Sequence, residues 1–171
     1  MRGMALRPEL LLPHLLCVAL GLLLAVLAWK KPVWARVSFV ALFGLAAVFN
    51  LRTALVDPSA YLSFATLTDS THYRALILGP FARHVTAWVC AIALGQALIA
   101  LGLLLRGRLA QVAAIGAIVF LCAIAPLGVG SAMPSSLLMA GGMVVLLLRR
   151  FPTTLGEDLA PHPPVDRQHR A

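Results

Sequence analysis

Acidic residues are scarce in this chain of 171 residues: six Asp and Glu stand against fourteen Lys and Arg, and charged residues together make up only 12%. No long apolar run carries an Asp, Glu, Lys or Arg near its middle, where proton relays and ion paths place them, which weakens a pump or channel reading. Cysteine is nearly absent. Cys17, Cys90 and Cys122 each stand alone in an apolar run without CxxC or Cys/His metal spacing, so they read as small packing residues and say nothing about redox compartment. No P-loop, GxSxG, HExxH or dinucleotide fingerprint occurs, and enzymatic chemistry has no support in the residues.

What the chain has in abundance is apolar surface: 61% hydrophobic residues and a mean hydropathy of +0.93. One soluble core cannot hide that much, so a lipid bilayer is the implied partner. The formal charge of +8 does not point to nucleic acid, because the basic residues sit at the ends of apolar runs rather than on a continuous stripe.

The pattern predicts an all-α, polytopic transmembrane helical bundle of about five spans, with four as the alternative count. The runs cover about residues 10–29, 33–51, 85–105, 109–127 and 133–148. The first is about 30 Å long as a helix, which matches the hydrocarbon thickness of a bilayer. It ends in Trp29-Lys30-Lys31-Pro32 instead of a small-residue cleavage site, so it reads as an uncleaved span rather than a signal peptide. Arg36, one turn into the second run, is placed to snorkel toward the headgroups. The fifth run is short, and a re-entrant hairpin with the fourth is its competitor. Residues 151–171, rich in proline and charge, read as a disordered tail containing His162 and His169.

Basic residues near the spans set the expected orientation. Lys30, Lys31, Arg36, Arg106, Arg108, Arg149 and Arg150 share one membrane face, whereas Arg2, Arg7, Arg52, Arg74 and Arg83 share the other with Asp57 and Asp69. The N-terminus is therefore expected outside and the tail in the cytoplasm, as in a multi-pass protein of the cell inner membrane.

Residues 52–84 form the only long connection, where binding sites concentrate. Asp57-Pro58 has the form of a helix start, and a second start appears at Asp69 or Ser70, giving short interfacial helices between spans two and three. With His14 in span one, this loop makes a polar cluster geometrically feasible: Asn50, Arg52, Asp57, Tyr61, His72, Tyr73, Arg74 and His84 are the candidate ligand-binding residues, with Asp69 beside them. The bland alternative is that Arg52 pairs with Asp57 and Arg74 with Asp69 while the tyrosines anchor the interface. His14, His72 and His84 are the candidate haem or metal ligands, but none has i, i+4 spacing with another. Gln96 is a central amide that lipid cannot satisfy, so it is expected at a helix–helix contact or against another subunit. Small residues four apart, at Gly21/Ala25, Ala91/Gly95, Ala113/Ala117 and Ser136/Ala140, permit close helix approach.

The run from Asn50-Leu51-Arg52 through Asp57-Pro58 and Tyr61 to Tyr73-Arg74, set among short apolar helices, resembles the DoxX-like small integral membrane proteins over roughly residues 35–150. A fifth span departs from the four-helix picture of that family. The resemblance implies a membrane bundle and an association with quinone-linked oxidation, and it carries no catalytic residue across. The leading expectation is a noncatalytic subunit or a small-ligand or lipid binder that uses the outer loop, in a homo-oligomer or with another membrane subunit as partner. The alternatives are an oxidoreductase subunit touching quinone or haem, and a transporter of lipids or hydrophobic solutes.

Overall fold

A computed structural model describes residues 8–128 and 132–160 of the protein. Among these residues no strand occurs, and the helix ends follow local chemistry. The first apolar run forms α1 (Pro8–Lys30), and α2 (Pro32–Val56) starts with a proline at its first position, where the missing amide costs nothing. Both ends of α2 are set by proline. Lys31 and Asp57 each precede one and are pushed out of the helical region, with φ of −139° and −146°.

A 3-10 turn (Pro58–Ser63) leads into α3 (Phe64–Leu67) and α4 (Thr71–Leu76). Ser70 caps α4, its hydroxyl accepting from the Tyr73 amide at 3.3 Å. A π turn (Ile77–Phe81), broken at Gly79, then delivers the chain to α5 (Val85–Leu104). The remaining elements are α6 (Gly107–Ile124), a 3-10 turn (Ala125–Leu127), α7 (Ser135–Leu148) and the short α8 (Leu155–Leu159).

The five long elements close a ring in which α1 touches α2, α2 touches α5, α5 touches α6, α6 touches α7, and α7 returns to α1. The first four of these contacts join antiparallel neighbours. The fifth is parallel, since Gly21 lies against Ser135 and Leu138, and Ala25 lies against Gly142. Phe39, Phe43, Leu103, Met143 and Leu146 fill the centre, while Leu23, Leu45, Phe49, Leu98 and Leu101 face outward. An outer surface this apolar needs lipid rather than water around it. Four helical stretches, Leu11–Lys30, Pro32–Val56, Val85–Leu104 and Gly107–Leu127, are long and apolar enough to cross a membrane. α7 has 14 residues and is about 21 Å long.

The small residues separate into two groups. A Cβ on Gly142 would meet the Ala25 Cα at 3.1 Å and its nitrogen at 3.3 Å, and one on Gly102 would meet the Ala113 Cβ at 2.5 Å, so these glycines set how closely helices approach. Ala91 is exposed and Gly95 has nothing within 4 Å, so that pair faces away from the bundle. Gly142→Leu is therefore expected to destabilise the bundle by about 1–3 kcal/mol by prying α7 from α1. Gly141 has open space beside it, and Gly141→Leu is expected to stay within about 0.5 kcal/mol; thermal unfolding in one neutral detergent compares the two.

Three expectations are corrected. The second apolar run does not stop at 51: α2 continues to Val56 because nothing breaks it before Asp57-Pro58, and this carries Arg52 into the helix. Arg36 does not snorkel. It is 3% exposed and held inside the bundle end. The tail after Arg150 is folded at least as far as residue 160, because Thr154 and Glu157 form a capping box and Phe151 and Leu155 are buried. The Thr154 amide and hydroxyl hold the Glu157 carboxyl below its ordinary range, so the cap contributes at neutral pH and is lost as pH falls through that lowered value. His162 and His169, like Arg2 and Arg7, lie outside the described residues.

Candidate functional site

At the end of the bundle where α2 finishes and α5 begins, the segment 57–84 is fastened to the helices by polar contacts. The Asn50 side-chain amide donates to Gln96 Oε1 at 2.7 Å, and the Tyr61 hydroxyl donates to Asn50 Oδ1 at 2.8 Å. These three groups, from α2, α5 and the 3-10 turn, form one chain of hydrogen bonds. Gln96 is 4% exposed, so its amide meets α2 rather than lipid; an interhelical bond of this kind is worth about 0.6–1.7 kcal/mol in a membrane protein. Burial pushes the Tyr61 phenol above its ordinary pKa, so it stays a neutral donor across the physiological range.

Farther along, the Thr68 hydroxyl donates to the Pro126 carbonyl at 2.5 Å, and the Tyr73 hydroxyl donates to Ala123 O at 2.7 Å. The two bonds pin the segment to the end of α6 and to the 3-10 turn that follows it. Gly128 permits that approach: its φ is +110°, and a Cβ there would lie 2.2 Å from Leu67 O. Arg74 reaches back to the carbonyls of Ala65 at 3.1 Å and Thr68 at 2.9 Å, capping the end of α3.

The expected pairs Arg52–Asp57 and Arg74–Asp69 do not form. Among the described residues the ion pairs are Arg36–Asp158 and Arg106–Glu157. Asp57 instead accepts from the Ser59 hydroxyl at 2.6 Å. Arg52 is exposed on α2, His72 is exposed on α4, His84 is exposed at the start of α5, and His14 is half-buried on α1; none of them joins the Asn50–Tyr61–Gln96 chain. No group of three His, Cys, Asp or Glu side chains is placed to hold a metal ion among the described residues.

Between the 3-10 turn and the start of α5 an open groove of about 520 Å³ is lined by Pro58, Ser59, Leu62, Arg83, His84 and Thr86. Of these, only His84 is among the candidate residues of the sequence pattern. Arg83 is exposed and makes no ion pair with a described residue. Chemically the groove offers one cationic guanidinium, an imidazole and the Thr86 hydroxyl among apolar side chains, the Ser59 hydroxyl being given to Asp57. This donor set suits a small anion or a polar headgroup.

Compared with family models, curated proteins and solved structures, the chain matches none.

Proposed function

We propose that the protein is a noncatalytic membrane component of five spans that binds a phosphate-type anion, either free or as a lipid headgroup, in the groove beside Arg83 and His84. The observation that carries this reading is the groove itself: about 520 Å³, with a cationic side chain that no described carboxylate neutralises. The segment forming its wall is tied down through Tyr61, Thr68 and Tyr73, so the backbone of that wall is in place before a ligand arrives and less backbone ordering opposes binding. α7 completes the fifth span by local thinning of the bilayer, with Arg149 and Arg150 reaching the headgroups. In this orientation the 57–84 segment faces outside, and the basic end and the tail face the cytoplasm of a bacterial-type inner membrane. A place among DoxX-like proteins belongs to the same proposal; Asn50 and Tyr61, two of the residues that suggest it, are hydrogen-bonded to each other.

The test is thermal stabilisation of the purified protein in neutral detergent by short-chain phosphatidylglycerol and by inorganic phosphate. A saturable rise in midpoint with either probe, lost in Arg83→Gln, is expected. No rise, or a rise that Arg83→Gln leaves intact, rejects the groove as the site.

A further inference from the structure

The opposite end of the bundle carries chemistry that the groove reading does not use. Arg36 Nε donates to Leu103 O at 2.7 Å, Nη2 donates to Leu105 O, and Nη1 donates to Thr153 O at 3.0 Å and to Asp158 Oδ2 at 2.9 Å. The Phe151 ring lies 5.1 Å from the guanidinium carbon. Two of these acceptors are carbonyls at the end of α5, which lack partners within that helix and hold the guanidinium whether or not the tail is in place.

Asp158 stands differently. Its side chain is 21% exposed, and it is delivered by α8, a helix of five residues that has no stability of its own. The chain reaches α8 through Arg150 and Phe151, which adopt left-handed φ of 63° and 42°, a conformation that non-glycine residues hold only against strain. Residues 151–159 therefore form a clasp held down by its contacts with Arg36, by a bond from the Gly107 amide to Phe151 O at 2.9 Å, and by buried Phe151 and Leu155. A buried ion pair is a poor stabiliser compared with apolar packing, and its best-attested use is in register or switching.

The surroundings fit an anion. A groove of about 240 Å³ runs beside the pair, lined by Pro32, Val33, Arg36, Arg149, Thr153 and Asp158. Lys30, Lys31, Arg106, Arg108, Arg149 and Arg150 are all exposed at this end. The described carboxylates facing them are Glu157, 3.8 Å from Arg106, and Asp158 itself.

We infer that Arg36 is a binding site for a phosphate-bearing lipid headgroup, and that the Asp158 carboxylate of the clasp occupies this site in competition with the lipid. Carboxylate and phosphate oxygens present equivalent acceptors to a guanidinium. The basic collar concentrates anionic headgroups at the mouth of the groove. In a neutral bilayer the clasp stays closed; in an anionic one the headgroup displaces Asp158 and residues 151–159 lift. This site is separate from the groove beside Arg83, at the other end of the bundle.

Hydrogen exchange of residues 151–160 in the full chain decides it, in nanodiscs of phosphatidylcholine alone, of phosphatidylcholine with phosphatidylglycerol, and of phosphatidylcholine with inorganic phosphate added to the buffer. The expected result is exchange about tenfold faster with phosphatidylglycerol and unchanged with inorganic phosphate, while α6 keeps its protection. Asp158→Asn is expected to show the faster exchange already in phosphatidylcholine, and Arg36→Gln to lose the response to phosphatidylglycerol. Equal acceleration by inorganic phosphate overturns the lipid as the occupant. Unchanged exchange in both anionic conditions overturns the site, whatever the variants do.

Discussion

Arg36→Ala is expected to cost the bundle about 3 kcal/mol, measured as unfolding free energy in neutral detergent. The substitution strands four acceptors at once: the carbonyls of Leu103, Leu105 and Thr153 and the carboxylate of Asp158. Removing one partner of a buried, hydrogen-bonded ion pair typically costs about 3–5 kcal/mol. The lower end applies because the Asp158 side chain is 21% exposed and water can solvate it when its partner is gone. The paired replacement Arg36→Met with Asp158→Leu is expected to recover only part of the loss, since it removes the unpaired carboxylate but leaves the Leu103, Leu105 and Thr153 carbonyls without their donor. An Arg36→Ala protein within about 0.5 kcal/mol of the parent would show that the guanidinium is solvated, as an exposed surface charge is.

Gly128→Ala carries the second large effect, about 3 kcal/mol or more, and it falls on the opposite end. Two costs combine. At φ +110° and ψ 170° the residue occupies a region open essentially to glycine alone, and the added Cβ would lie 2.2 Å from Leu67 O and 3.3 Å from the Thr68 Cα. Those atoms are backbone and cannot rotate aside. The strain is relieved by lifting α3 and its neighbours off the end of α6, which breaks the Thr68–Pro126 bond. Faster exchange of residues 64–74, with α5 and α6 still protected, is the expected signature. Uniform loss of protection across the bundle would instead mean that Gly128 supports the whole fold and not the segment beside it.

Much of the helical layout is legible in the sequence because runs of about 20 apolar residues have no other physical solution in a bilayer. Proline makes several ends legible as well: Lys31-Pro32 and Asp57-Pro58 each fix a helix boundary through the steric rule for residues before proline. Polar partners are harder to read. Arg36 and Asp158 are 122 positions apart, and Asn50 and Gln96 are 46 apart, so no local periodicity links them. Proximity along the chain also misled: Arg52 and Asp57 are five apart, a spacing that does not bring side chains together on a helix, and Asp57 turns instead to Ser59. The tail shows composition overriding a local signal. Thr154-Leu155-Gly156-Glu157 is a capping-box sequence, yet the prolines and charges around it read as disorder. The groove beside Arg83 joins residues from the two ends of the 57–84 segment, and that closure depends on contacts with α2 and α6 which the segment's own sequence does not contain.

On the proposed reading, five helices cross the bilayer, with the 57–84 segment and the clasp on opposite sides. Short epitope tags placed singly in the full chain, between Asp69 and Ser70, between Arg106 and Gly107, and after Ala160, test it in intact spheroplasts against the same cells permeabilised. The tag after Asp69 is expected to be labelled in intact cells, and the tags after Arg106 and Ala160 only after permeabilisation. Labelling of the Asp69 and Ala160 tags from the same side would mean that α7 does not cross and that the clasp shares a side with the 57–84 segment.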